Sequence, residues 1–372
     1  MDMKENNIRT NWFERNRKKT ILVIFLLFSL VIFGVIKMVR PKKKHNIVFN
    51  PGVERSIRLR EHPPLLHKTI YPSEKYMNLT EGLVRQDYVL RVDANGFIMP
   101  ARRHPQPDLS LVFLGGSSTE CLLVEEEQRF PYLAGKILEE KTGKKVNSFN
   151  GGVGGNNSLH SLDILLNKVI PLKPDIVLLS HNINDMFIIL AYDEAYWNPN
   201  PFRSPIVVKP EEGFYLTKKL KKTFGLIFKK EKEYDEFEHI RGKKIKVAPQ
   251  RLAAEFSANL QIFIDICKAK KITPVLMTQS NRFKQLPDEF TKRYMKTLEN
   301  DYGIGYQEFK ESYDLINDTT RTIANNNKVL VIDLAREVPQ EKEYLYDILH
   351  YNDKGSRLAA QIISDRLMTV IK

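Results

Sequence analysis

An α/β domain built on a parallel sheet, with helices on both faces, is the fold class this sequence predicts. Three observations carry it. From Leu109 onward, short apolar runs of strand length alternate with longer stretches of helix length. The run Leu109 to Leu114 is close to continuously apolar, the pattern of a strand buried on both faces. Several of these runs stop abruptly in Gly, Asn, Ser or His, as at Gly115-Gly116, Asn150-Gly151 and Ser180-His181, so polar groups collect where a parallel sheet binds its ligands.

The elements before that domain are of another kind. Residues 1–19 form a basic tail. Ile21 to Ile36 carries no charge, and Thr20 with Lys37–Val39 extends it to about the twenty residues of a spanning helix. Lys18-Lys19 and Lys42-Lys43-Lys44 bracket it, and no small-residue cleavage pattern follows, so 20–39 reads as an uncleaved membrane anchor. Six basic residues precede the span and six follow it closely, so flanking charge fixes no orientation. The large domain is expected outside the cytoplasm, since a single N-terminal span followed by a large domain is the usual form of a signal anchor. The basic run Pro41–His45 and the lack of a disulfide framework stand against that placement.

Net charge is +13, but residues 1–60 hold 14 Lys/Arg against 4 Asp/Glu and so account for +10 of it. The remainder is nearly balanced, which excludes a nucleic-acid-binding domain with a basic face. Cys121 and Cys267 are far apart, have no metal or disulfide spacing, and are expected to be buried free thiols.

Residues 40–108 read as a membrane-proximal lead-in. It has scattered prolines (Pro51, Pro63, Pro64, Pro72), then Tyr88, Leu90 and Val92 alternating with polar residues up to a turn at Ala94-Asn95-Gly96. The domain proper spans 109–372. Phe130–Thr142 predicts a helix stopped by Gly143, Val146–Phe149 a strand, and Ser158–Ile170 a helix capped by Asn156, Asn157 or Ser158. Further strands are expected at Ile176–Ser180, Ile272–Met277 and Val329–Leu334, and helices at Arg251–Lys270, Tyr306–Asn325 and Asp353–Ile371. Regularity breaks over 186–250, read as an insertion. There Leu216, Leu220, Phe224 and Ile227 fall at helical spacing among lysines, which fits a solvated insertion helix or a membrane-surface helix.

Four stretches carry chemistry. Gly115-Gly116-Ser117-Ser118-Thr119 puts hydroxyls at a strand end, with Ser117 and Ser118 as rival nucleophiles. Asn150–Ser158 (NGGVGGNNS) exposes backbone N–H groups ahead of a helix and lacks the phosphate-loop pattern. Asn182-Ile183-Asn184-Asp185 offers the Asn184 amide to an oxyanion. Asp347 and His350 are spaced so that one loop can hold an imidazole and its orienting carboxylate.

In this order the four blocks resemble the SGNH hydrolases, also called GDSL-type esterases and lipases, and the resemblance runs from Leu109 to the C-terminus apart from the insertion. It implies a three-layer α/β/α, flavodoxin-like domain with a Ser117–His350–Asp347 triad. It also implies an oxyanion hole of the Ser117 and Gly155 N–H groups with the Asn184 amide. The register of the family prefers Ser117 to Ser118. Gly116 stands where many members have Asp, and Asn182 where most have Gly. The implied activity is hydrolysis or transfer of an ester acyl group, with no metal or organic cofactor. The expected substrate is a small ester such as an O-acetyl group on a glycan. Lysophospholipase or acyltransferase action, or a non-catalytic glycan-binding or assembly role, are the alternatives.

Overall fold

The structure, a computed structural model, describes residues 59–101, 103–191, 196 and 240–371, with residues 16, 18–19, 21–22 and 25–30 and the backbone of 48–50 and 53–54. The chain divides into two compact units, Met1–Asn46 with Val208–Glu233, and Ile47–Val207 with Tyr234–Lys372. In the first unit, residues 25–30 are helical, with Phe25, Leu26, Leu27, Phe28 and Leu30 exposed. No helix among the described residues is long and apolar enough to cross a membrane. The anchor expected over 20–39 lies partly outside the described residues, and the amphipathic stretch at 216–227 lies wholly outside them.

The second unit is built on a five-stranded parallel sheet of β5 (Leu109–Gly115), β6 (Val146–Asn150), β7 (Ile176–Ser180), β8 (Thr273–Met277) and β9 (Leu330–Ile332). The order is β6-β5-β7-β8-β9, so the chain lays down its second strand beside the first, then crosses to the other side for the rest. Side chains alternate across the sheet. Leu111, Phe113, Leu178 and Val275 enter one apolar core, while Val112, Leu114, Val177, Leu179 and Leu276 enter the other. A near-continuous apolar run is what such a two-sided strand requires.

One face is covered by α3 (Phe130–Thr142), the single turn α9 (Leu334–Glu337) and α10 (Asp353–Leu367). Gly143 at φ 70° ends α3 in the left-handed conformation, as its place after the apolar pattern predicts. The other face is covered by α4 (Ser158–Ile164), α5 (Ile183–Ala191), α6 (Pro249–Ala269), α7 (Glu289–Tyr302) and α8 (Tyr306–Asn326). Three expectations are corrected here. The helix starting at Ser158 is α-helical only to Ile164, then widens into a π turn over Leu165–Val169. The regular structure expected to break at 186 continues in α5 to Ala191, because Met186, Ile188 and Ile189 still bury one helical stripe in the core. The closing helix stops at Leu367 rather than Ile371.

Ahead of the sheet lie short antiparallel pairs, β1 (Val48–Asn50) with β2 (Val53–Glu54) and β3 (His67–Ile70) with β4 (Tyr88–Arg91), and a single helical turn, α1 (Glu74–Met77). Beyond β4 the chain turns at residues 93–97, so that Val92 bridges Ile98, which in turn bridges Asn150 beside the end of β6. Two buried cations hold this segment down. The Arg129 guanidinium donates to the carbonyls of Val89 (2.6 Å), Met99 (2.9 Å) and Cys121 (3.2 Å). The Lys168 ammonium donates to Glu61 (2.8 Å) and the Gly96 carbonyl (2.6 Å) above the Phe97 ring. Cys121 and Cys267 are buried free thiols.

Candidate active site

In a sheet of this order the connections leave the first strand in opposite directions, and a crevice opens at the carboxyl ends where they part. Here that crevice collects the loops after β5, β6 and β7. Gly115 ends β5, and Ser117 opens a single helical turn, α2 (Ser117–Glu120), whose carboxyl end is set by Cys121 at φ 54°. His350 arrives from the loop before α10, whose N-cap is Asn352.

His350 Nε2 lies 2.8 Å from Ser117 Oγ, and His350 Nδ1 lies 2.6 Å from Asp347 Oδ2. The other carboxylate oxygen of Asp347 accepts the backbone N–H groups of Leu349 and His350, each at 2.8 Å. That leaves Oδ2 aimed at the ring. Burial alone would lower the His350 pKa, but the charge and hydrogen bond of Asp347 offset it, and His350 titrates above its ordinary value. The Tyr346 ring stacks on the imidazole, with centroids 5.7 Å apart and planes 13° from parallel. The Ser118 hydroxyl, the rival nucleophile, is buried and accepts from Gln279 Nε2 at 2.6 Å. Between the two serines, only Ser117 has an imidazole against it.

The glycine loop and Asn184 meet beside Gly116. A methyl group on Gly116 would sit 2.7 Å from Asn184 Nδ2 and 3.1 Å from the Asn156 carbonyl, so no side chain fits unless Asn184 withdraws. The departure from Asp at this position therefore matches a close approach of the amide to the backbone preceding Ser117. Asn184 lies in the first turn of α5, rather than in a loop, and donates one amide N–H to the Asn156 carbonyl at 2.8 Å. An amide nitrogen has two hydrogens, so the second stays available to a ligand. Gly155 adopts φ 77°, where a side chain would be strained, and faces Arg60.

A buried polar layer supports these loops. Asp185 accepts the Ser158 N–H at the start of α4 (2.9 Å) and the Tyr196 hydroxyl. His181 pairs with Ser161 at 2.7 Å, and burial holds its pKa below the ordinary value although Asp185 opposes the shift. Asn182, the second departure, donates to the Tyr313 carbonyl and Asn317 Oδ1, both at 3.0 Å, and ties the β7 end to α8.

Several residues around the site were not anticipated. Arg60 donates to the Gly155 carbonyl (2.6 Å) and the Gly154 carbonyl (3.3 Å). Glu120, buried at the end of α2, pairs with His62 at 2.8 Å. Tyr346 was readable as the neighbour of Asp347, but Arg60 and His62 carry no local signal, since their partners are far along the chain. A polar hollow of about 800 Å³ lined by Asn281, Asn317, Arg321 and Gln340, among others, includes neither Ser117 nor His350. Among the described residues no group of three His, Cys, Asp or Glu side chains is arranged to hold a metal ion.

The model of the GDSL-like lipase/acylhydrolase family matches residues 113–358. No curated protein sequence matches the chain. Among solved structures it is similar to an alpha/beta hydrolase enzyme from the metagenome of Lake Arreo, Spain, at 15% identity and TM-score 0.42, covering 71% of this chain and 97% of that one. It is also similar to the lipase/acylhydrolase from Enterococcus faecalis, at 17% identity and TM-score 0.43 with the same coverages of 71% and 97%. Likeness to Axe2, an acetylxylan esterase from Geobacillus stearothermophilus, is 16% in identity at TM-score 0.42, covering 70% of this chain and 94% of that one.

Proposed function

The chain belongs to the GDSL-like lipase/acylhydrolase family, and on that footing we propose that it is a serine esterase in which Ser117, His350 and Asp347 form the catalytic relay. The hydrogen-bonded line from Ser117 Oγ through the imidazole to Asp347 carries this reading. In the first step His350 Nε2 takes the Ser117 proton as Oγ bonds to the ester carbonyl carbon, giving a tetrahedral oxyanion and an imidazolium held by Asp347. The imidazolium then protonates the leaving alkoxide, and the acyl group stays on Ser117. Water, or a second alcohol, next attacks the acyl-enzyme with His350 again as base, and Ser117 recovers its proton. Asn184 and the Ser117 and Gly155 N–H groups hold the oxyanion in both steps.

The acyl group in this proposal is small, as in an O-acetyl ester on a glycan. Leu122 and Leu123, which follow the α2 turn, are packed against Tyr88, Tyr346 and the β4 segment, so neither serves as an open apolar wall for a long chain. The uncharged run Ile21–Ile36 supports a single-pass anchor, and the proposal places the catalytic unit outside the cytoplasm because a large domain follows a single N-terminal span.

The test is a fluorophosphonate probe on the purified protein, read by mass spectrometry, together with hydrolysis of p-nitrophenyl acetate. Labelling at Ser117 with turnover lost in Ser117→Ala is the expected result. Labelling at Ser118, or undiminished turnover in Ser117→Ala, refutes the assignment.

A further inference from the structure

The glycine loop contains a β-turn whose state matters to the site. Asn156 N–H donates to the Val153 carbonyl at 3.0 Å, closing a four-residue turn with Gly154 and Gly155 at its centre. Gly155, the second central residue, is left-handed at φ 77°, and Gly154 is not, which is the type II pattern. Type I and type II turns differ mainly by a half rotation of the central peptide, here the one joining the Gly154 carbonyl to the Gly155 N–H. In a trans peptide those two groups point in opposite directions. The side of the turn that the Gly154 oxygen takes therefore dictates where the Gly155 N–H points.

Glycine at both central positions leaves neither turn type excluded by side-chain sterics. The loop's own sequence does not choose. Arg60 supplies the missing constraint. One guanidinium nitrogen donates to the Gly154 carbonyl (3.3 Å) and the other to the Gly155 carbonyl (2.6 Å). Its backbone carbonyl accepts the Asn156 side-chain amide (3.2 Å), while the Asn156 carbonyl receives Asn184 (2.8 Å). One residue thus grips three successive residues of the loop, and the third of them anchors the Asn184 amide. Arg60 lies outside the segment that matches the family, residues 113–358.

We propose that Arg60 is a positioning residue that holds the Gly154–Gly155 peptide in one of two accessible orientations and so aims the Gly155 N–H at the substrate oxyanion. The proposal rests on the esterase reading above. A guanidinium on the Gly154 carbonyl also draws electron density from the same peptide and strengthens its N–H as a donor. Reversal of the peptide would present a carbonyl oxygen to the oxyanion in place of an N–H.

The experiment compares Arg60→Ala, Arg60→Gln and Arg60→Lys in the full-length protein, using p-nitrophenyl acetate kinetics and crystal structures of the variants. Arg60→Gln serves if Arg60→Ala fails to fold, because glutamine can reach one carbonyl but cannot span both. The expected loss in Arg60→Ala is roughly tenfold to a hundredfold in kcat, with KM nearly unchanged, the signature of an aimed oxyanion donor. Arg60→Lys and added methylguanidinium each restore part of it, and the crystal structure of the Ala or Gln variant has the Gly154–Gly155 peptide reversed or in two orientations. A rise in KM at unchanged kcat makes Arg60 a substrate-binding cation and overturns the proposal. So does a variant whose peptide keeps its orientation. If the wild type matches Ser117→Ala in showing no turnover, the esterase reading has failed, and the peptide orientation still decides whether Arg60 sets the turn.

Discussion

Replacing Asp347 by asparagine changes one oxygen for nitrogen and tests the relay most sharply. Of the two carboxylate oxygens, Oδ1 accepts two backbone N–H groups at 2.8 Å and Oδ2 accepts the ring at 2.6 Å. An asparagine oxygen left at the Oδ1 position keeps both backbone bonds, each worth about 1 kcal/mol net. The reverse orientation aims an NH2 at two N–H donors. The first orientation wins, and its NH2 then donates to His350 Nδ1. The ring proton moves to Nε2, which faces Ser117, and the serine loses its base. The same exchange in serine-protease triads lowers kcat by about 10⁴, or about 5 kcal/mol in the barrier. A fall of that order is expected here, with the circular dichroism spectrum unchanged. The acid limb of kcat/KM moves as well. His350 acts as a base only when neutral, so wild-type activity fades as pH falls through its raised pKa. Without the Asp347 charge, burial is left to dominate and the limb shifts to lower pH. Initial rates on p-nitrophenyl acetate from pH 5 to 9 measure both effects. A kcat within tenfold of wild type, or an acid limb that stays or moves upward, refutes the reasoning.

Ser118→Ala is expected to keep turnover within a few-fold of wild type and to lose about 1–3 kcal/mol of stability in urea titration, because buried Gln279 Nε2 loses its acceptor. Asn184→Ala should reduce kcat about a hundredfold or more with KM nearly constant; a KM effect alone would make it a binding residue. Lys168→Met removes the ammonium that donates to Glu61 and to the Gly96 carbonyl, and a stability loss of about 1–3 kcal/mol is expected in the same titration. A loss under 1 kcal/mol would mean the lead-in is held by other contacts.

What the sequence made legible was mostly short-range. The apolar run of β5, the left-handed stop at Gly143 and the Asp347–His350 spacing are each written within a few residues. Helix α7 was missed because Phe290, Met295 and Tyr302, its buried apolar positions, are diluted by charged neighbours. The ends of α4 and α5 depended on what the rest of the chain packs against them: the π turn carries Lys168, whose partners Glu61 and Gly96 are 107 and 72 residues away. Arg60 is the extreme case. In the sequence it is one basic residue among many in the N-terminal part of the chain, and only the folded chain brings it to Gly155, 95 residues on.

The way the lead-in is fastened bears on how the protein can be cut. A recombinant version trimmed to the motif-bearing part at residue 109 would look reasonable on paper. It would leave Arg129, almost wholly buried, with the Cys121 carbonyl alone of its three acceptors, and Lys168 without Glu61 or the Gly96 carbonyl. It would also lack His62 opposite Glu120 and Arg60 on the glycine turn. Removing residues 1–58 instead keeps every one of these partners. A preparation that drops the uncharged run Ile21–Ile36 should therefore begin at Leu59 or earlier, and a shuffled chimera must carry the segment from Leu59 with its own catalytic half.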